Sequence, residues 1–136
     1  MKKVVLVLWG CLLLTGCGEE NSANGPTVSW SGEVTLQGKT LPDNLTNALL
    51  QIRAKEQGNN VAAPVQAEIR KGRFTVKNVP RGQVWVKVVL EQKTGKVIRE
   101  PSGESFEEIV NLVPREKRGG MEMVADQDDS HVKIEL

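Results

Sequence analysis

Apolar and polar residues alternate with a period of two along much of the chain after residue 27. In the first such stretch Val28, Trp30, Val34 and Leu36 fall on one face, and polar residues occupy most of the other. This period is typical of a strand with one buried face. We therefore predict a half-buried strand over residues 28–36.

Similar apolar stretches, of varying clarity, predict further strands at residues 48–54, 63–69, 74–76, 84–90, 121–125 and 131–136. The clearest is 84–90, in which Val84, Val86, Val88 and Leu90 share one face. Pro64 suits an edge strand, because it cannot donate a ladder hydrogen bond. Turn residues recur at intervals near ten residues, and this spacing predicts an all-β fold, a single sandwich of about seven strands.

Two segments leave alternatives open. Residues 45–55 also allow a helix, although their alternation favours a strand. Residues 93–96 (KTGK) read as a hairpin turn, and residues 99–114 lack alternation. Within the latter, Ser105 and Glu108 have the spacing of a capping box, which predicts one or two helical turns, with an irregular insertion as the alternative.

The chain begins with a basic and then an apolar segment. Lys2 and Lys3 precede an unbroken apolar run at residues 4–14. This order is typical of a secretory signal peptide. The run is too short for a transmembrane helix, which needs about 20 apolar residues.

The quartet Leu14-Thr15-Gly16-Cys17 resembles the bacterial lipobox. The resemblance implies cleavage between Gly16 and Cys17, a diacylated Cys17 thioether, and a further acyl chain such as palmitate on the new amine. Several acyl chains give stable anchoring, whereas one gives only marginal binding. Gly18, rather than Asp, implies sorting to the outer membrane where the organism has one. The alternatives are a signal peptide cut elsewhere and an uncleaved short anchor.

These features divide the chain into three parts. Residues 1–16 are the expected lipoprotein signal peptide, 17–27 a lipidated flexible tether, and 28–136 the β-sandwich domain. Cleavage removes 16 of the 136 residues and leaves 120, which suits one domain. We expect a cell-envelope protein that faces the periplasm and is held to the membrane through acylated Cys17.

Charge and cysteine content exclude several classes of function. The chain has 18 Lys and Arg against 17 Asp and Glu, without a basic block, so we expect no nucleic-acid partner. Of its two cysteines, Cys11 would leave with the signal peptide and Cys17 would be acylated. The mature domain would therefore hold no disulfide, and we expect no cofactor.

Three stretches carry a recognisable pattern: the opening at 31–42 (SGEVTLQGKTLP), the centre at 72–86 (GRFTVKNVPRGQVWV), and the end at 111–114 (NLVP) with 132–136 (VKIEL). Together they resemble carboxypeptidase regulatory-like, transthyretin-like domains. The resemblance implies a seven-stranded Greek-key sandwich of the prealbumin type. Two residues depart from the family pattern, with Lys71 in place of the usual Asp and Val84 where an aromatic residue is common.

The inventory of reactive side chains argues against an enzyme. His131 is the only histidine, and Ser102, Ser105 and Ser130 have no second histidine to draw on. A nucleophilic triad needs a base beside its serine. We therefore predict no catalytic residue.

Metal binding is not expected either. Asp126, Asp128 and Asp129 offer oxygen ligands, but the glycine and terminal glutamate of a calcium loop do not accompany them. We interpret this stretch as a solvated turn and predict no metal ligand.

Trp85 is the remaining candidate for ligand contact. It points away from the face of Val84, so it is either exposed or covered by residues 99–114. The leading hypothesis is a non-enzymatic envelope lipoprotein that acts as a structural or protein-interaction module through its edge strands or residues 99–114. The alternative is a module that binds glycan or peptide through Trp85 and residues 99–114.

Overall fold

The structure is a computed structural model that describes residues 25–55 and 63–136. The expected signal peptide, the lipidation site Cys17 and the tether before residue 25 lie outside the described residues. The described part is nearly all β, and its strands form two sheets that pack together as a sandwich. None of its helical segments is long and apolar enough to cross a membrane.

Nine strands and one short 3₁₀ turn occur in the described part of the chain. The strands are β1 (Thr27–Leu36), β2 (Lys39–Thr40), β3 (Leu45–Ala54), β4 (Val65–Glu68), β5 (Arg73–Pro80), β6 (Gly82–Arg99), β7 (Ser105–Asn111), β8 (Met121–Ala125) and β9 (Asp129–Glu135). The 3₁₀ turn spans Arg115–Lys117. The strand interpretation of residues 45–55 is thus confirmed.

The first sheet is built around β1. Strand β5 pairs with it antiparallel and β9 pairs with it parallel, while β2 forms a short hairpin with its end. Val28, Trp30 and Val34 are buried as their alternation predicts. Gly32 lies between Phe74 of β5 and Val132 of β9, where a side chain would collide with the Val132 carbonyl group.

The second sheet is built around β6, the longest strand. One edge of β6 pairs with β3 over residues 84–92, and β4 completes that side as an edge strand just after Pro64. The other edge of β6 pairs first with β8, over residues 82–86, and then with β7, over residues 91–99. Strand β6 therefore continues well past the strands that flank its first half.

The core lies between the sheets and consists of aliphatic and aromatic side chains. Val84, Val86, Val88 and Leu90 of β6 are at most 2% exposed, as their shared face predicts. Among the described residues no polar side chain is buried with them. Burial of apolar surface therefore supplies most of the stabilisation of the fold.

Two local predictions are wrong. Residues 93–96 form no hairpin turn, since β6 runs through them with a bulge between Lys93 and Val97 and with Gly95 at φ +80°. Residues 105–111 form β7 rather than helical turns or an irregular insertion. Pairing with the extended β6 bonds the backbone groups of this segment that face β6, and this long-range pairing overrides the weak local helix signal.

Candidate functional site

The second half of β6 and all of β7 form a two-stranded arm, defined here as residues 93–111. None of its residues is buried. It carries three of the four large hydrophobic residues that are exposed in the described part of the chain: Val97 at 60%, Phe106 at 48% and Ile109 at 52%. Exposed apolar side chains that cluster on one element indicate a contact surface.

Both faces of the arm carry apolar side chains. One face carries Ile98 and its cross-strand partner Phe106. Glu108 and Val110 lie on the same face as Phe106, because residues two apart along a strand point to the same side. This face continues the core-facing side of β6 beyond the region where the core residues end. The opposite face carries Val97 and Ile109.

Charged and polar side chains hold the two strands of the arm together across the bulge. Lys93 Nζ lies 3.2 Å from Glu107 Oε2, and Lys96 Nζ lies 3.9 Å from Glu108 Oε1. The Thr94 hydroxyl donates to Glu108 Oε2 at 3.0 Å. These exposed ion pairs contribute little stability each, but they orient the carboxylates along β7.

The outer edge of β7 has no strand partner among the described residues. Leu112 donates its backbone N–H to the Leu90 carbonyl at 2.9 Å, so this N–H points toward β6. It thereby fixes the directions of the backbone N–H and C=O groups of the residues before Leu112. Because these directions alternate along an antiparallel strand, the N–H and C=O groups of Ser105, Glu107 and Ile109 point away from β6. They form an open hydrogen-bonding edge.

Arg118 closes one end of this edge. Its Nη2 donates to the Asn111 carbonyl at 3.2 Å, and its Nε donates to the Val113 carbonyl at 2.9 Å. The open part of the edge therefore runs from Ile109 to the tip of the arm.

The arm lies at the far end of β6 from the N-terminal end of the domain. Arg81, just before β6, donates its backbone N–H to the Pro26 carbonyl at 3.1 Å. The 18 residues of β6 then extend over a contour of about 55 Å. A chain tethered before Gly25 would thus carry the arm on its opposite end.

Trp85, the residue predicted to contact ligand, is half-buried on the outer face of the second sheet. It lies between Arg53 of β3 and Glu122 of β8, and Gly120 lies against its ring near Cε3. The arm begins eight residues farther along β6, or about 26 Å. The structure does not bring Trp85 and the arm together, and a ligand-binding role for Trp85 stays a prediction.

His131 lines a cleft of about 350 Å³ on the outer face of the first sheet, with polar and charged neighbours that include Ser31, Glu33, Arg73 and Lys133. Its backbone N–H donates to Asp129 Oδ1 at 2.7 Å. Its imidazole makes no hydrogen bond to a serine within the described residues. Ser102 lies in the tip of the arm. The described residues thus form no serine–histidine pair.

Two of the three aspartates at residues 126–129 accept backbone hydrogen bonds through their side chains. Asp128 Oδ1 accepts from the Ser29 N–H at 2.7 Å. Asp129 Oδ1 accepts from the backbone N–H of His131, two residues farther along the chain. The described residues contain no group of three or more side chains arranged to hold a metal ion. These contacts fix the turn between β8 and β9.

One exposed ion pair shifts the pKa of a carboxyl group. The guanidinium of Arg70 donates to Glu68 Oε2 at 2.7 and 3.0 Å, and these hydrogen bonds, with the positive charge, hold the pKa of Glu68 below its ordinary value. Both groups are fully exposed at the edge of β4. The pair therefore keeps that edge solvated rather than forming a reactive centre.

The interaction hypothesis drawn from the sequence included residues 99–114, which are part of the arm. It did not predict β7, the strand whose open edge makes the arm a candidate site. The available signal was the set of apolar residues at Val97, Ile98, Phe106, Ile109 and Val110 in otherwise polar surroundings. Comparison of the chain with models of protein families, with curated proteins and with solved structures found no match.

Proposed function

We propose that the chain is a lipid-anchored, non-enzymatic protein of the bacterial cell envelope whose β-sandwich presents the arm to a partner protein. It faces the periplasm, with the outer membrane as its destination. The observation that carries the interaction role is the arm itself, which leaves Val97, Phe106 and Ile109 about half exposed or more. Burial of such side chains in an interface is favourable.

The anchor part of the proposal is supported by the Leu14-Thr15-Gly16-Cys17 quartet after an apolar run of signal-peptide length. A diacylated or triacylated Cys17 would remain attached to a bilayer. The short tether that follows would keep the Pro26 end of the sandwich near the membrane. The arm would then point away from it.

The fold part of the proposal is a Greek-key sandwich of the carboxypeptidase regulatory-like, transthyretin-like type. It is supported by neighbours that are distant in sequence, β1 with β9 and β3 with β6. The motif residues also have structural roles that fit the resemblance, since Gly72 and Gly82 adopt positive φ and Phe74 is buried. Val84 fills a core position where the family commonly has an aromatic residue.

Lipid anchoring is tested by metabolic labelling with an alkyne analogue of palmitate. We expect label on the wild-type chain and on Cys11→Ser, because Cys11 would be removed with the signal peptide, and none on Cys17→Ser. Label that persists in Cys17→Ser, or that is lost in Cys11→Ser, would contradict acylation at Cys17.

The interaction role is tested by amine-reactive cross-linking in intact cells, followed by mass spectrometry. We expect a defined envelope protein to be recovered with the wild-type chain and to be lost with Cys17→Ser, which is not held at the membrane. Recovery of no protein with the wild-type chain would remove the interaction role.

A further inference from the structure

We propose that the open edge of β7 binds an extended, basic segment of the partner protein by adding it to the second sheet as a further strand. The inference rests on the proposed function and assigns the site and the chemistry of the partner. In this mode main-chain hydrogen bonds supply affinity, and alternate side chains supply specificity.

The backbone of β7 is suited to strand addition. The N–H and C=O groups of Ser105, Glu107 and Ile109 face outward, and no described residue occupies them. Strand β7 is seven residues long, and none of its own residues forms a bulge. A regular exposed edge of this kind is a template for an incoming strand.

The other edge of the arm is not suited to pairing. The bulge between Lys93 and Val97 lies in β6, where four residues advance along two of β7, and Gly95 within it has φ +80°. Bulges interrupt the ladder and twist the strand away from a flat edge. The arm therefore offers one regular edge.

The charge along that edge selects a basic partner. Residues 100–114 carry four carboxylates, at Glu100, Glu104, Glu107 and Glu108, and no Lys or Arg. Glu107 and Glu108 each form an ion pair with a lysine of β6, whereas Glu100 and Glu104 have no side-chain partner among the described residues. Opposite charges on adjacent strands are favourable and like charges are unfavourable.

Two other occupants fit less well. After cleavage before Cys17, residues 17–24 reach at most about 29 Å, whereas Ile109 lies about 40 Å from Arg81 along β6. A second copy that paired its β7 antiparallel in a register centred on Glu107 would set the two Glu107 carboxylates against each other. The four carboxylates of residues 100–114 are also poorly suited to an anionic membrane surface.

The register of an added strand determines which types of partner residue would lie opposite each residue of β7. In an antiparallel partner, residues opposite Val110, Ile109 and Phe106 would be apolar, and those opposite Glu108 and Glu107 would be basic. The heptapeptide Thr-Val-Ile-Lys-Lys-Phe-Thr has this order. The matched control peptide replaces both lysines with glutamate.

The test measures binding of both peptides to the full acylated chain in detergent micelles, by fluorescence anisotropy. We expect the lysine peptide to bind about tenfold or more tightly than the glutamate peptide. Amide hydrogen exchange should slow at Glu107 and Ile109, which side-chain docking alone would not cause.

Three variants locate the interaction. Ile109→Pro removes an outward N–H without removing a bond to β6, and it should abolish binding. Val124→Thr, which changes an exposed apolar residue of β8 outside the arm, should retain binding. The double variant Glu107→Gln with Glu108→Gln should bind both peptides within about twofold of each other. Unchanged thermal unfolding of each variant establishes that it folds.

Equal binding of the two peptides to the wild-type chain, failure of both to bind at millimolar concentration, or binding that survives Ile109→Pro would overturn the inference. Self-association that Ile109→Pro abolishes, or binding to lipid vesicles through the arm, would also overturn it. A protein cross-linked in cells through another surface would refute strand addition and leave the interaction role intact. Failure of all cross-linking would refute that role itself.

Discussion

At the scale of single residues, the sandwich depends on the close approach of β9 to Gly32. A Cβ atom at this position would lie 2.7 Å from the carbonyl carbon of Val132 and closer still to its oxygen. The parallel ladder between β1 and β9 would have to separate to admit it. Glycine is therefore required here by space rather than by backbone conformation.

We expect Gly32→Ala to lower the free energy of unfolding by about 2–4 kcal/mol, measured by urea denaturation. The matched control is Gly119→Ala, because no described residue lies within 4 Å of a side chain there and its φ is not positive. The control should stay within about 0.5 kcal/mol of the wild type. Equal stability of the two variants would refute the steric requirement at Gly32.

At the scale of elements, the arm is an appendage that the core does not need. Its residues 93–109 are partly or fully exposed, whereas Val113, just after β7, is 1% exposed and belongs to the core. Gln92 and Val110 are cross-strand partners at the base of the arm. A two-residue turn can join such a pair.

Replacement of residues 93–109 by Asn-Gly should change the free energy of unfolding by less than about 1 kcal/mol. Val113→Ala, the control within the core, should lower it by about 2 kcal/mol. Thermal and urea unfolding measure both. A truncated chain that lost its cooperative transition would show that the arm is part of the core structure.

The contrast between strands that bury one face and the arm, which buries neither, also explains how far the sequence predicts the structure. Alternation located β1 and the first half of β6, because each buries one face and exposes the other. The arm gives no such signal, since both of its faces are exposed and apolar residues stand adjacent at Val97-Ile98 and Ile109-Val110. The capping-box spacing in residues 99–114 reports local preference alone, which long-range pairing overrides.

The candidate site was predictable only in outline for a related reason. The open edge of β7 depends on the pairing of β7 with a strand that outruns its neighbours, and strand pairing is a long-range property. The expected ligand residue Trp85 could be placed opposite Val84 by alternation. Its partial cover by Gly120 comes from a segment 35 residues away.

At the scale of the whole molecule, the domain has two distinct ends. The Pro26 end lies beside the start of β6, where the proposed tether would hold it to the membrane, and the arm extends from the other end. Val124 of β8 pairs with Gln83 near the tethered end and is 58% exposed. It therefore matches Ile109 in exposure and apolar character, but differs from it in position.

The most direct test places a photo-cross-linking amino acid at Ile109 or at Val124 in intact cells and identifies the products by mass spectrometry. We expect a defined envelope protein to be cross-linked from Ile109, little or none from Val124, and the Ile109 product to be lost in Cys17→Ser. Products that were the same from both positions, or only lipid or glycan from Ile109, would contradict an arm that presents a protein-binding edge away from the membrane.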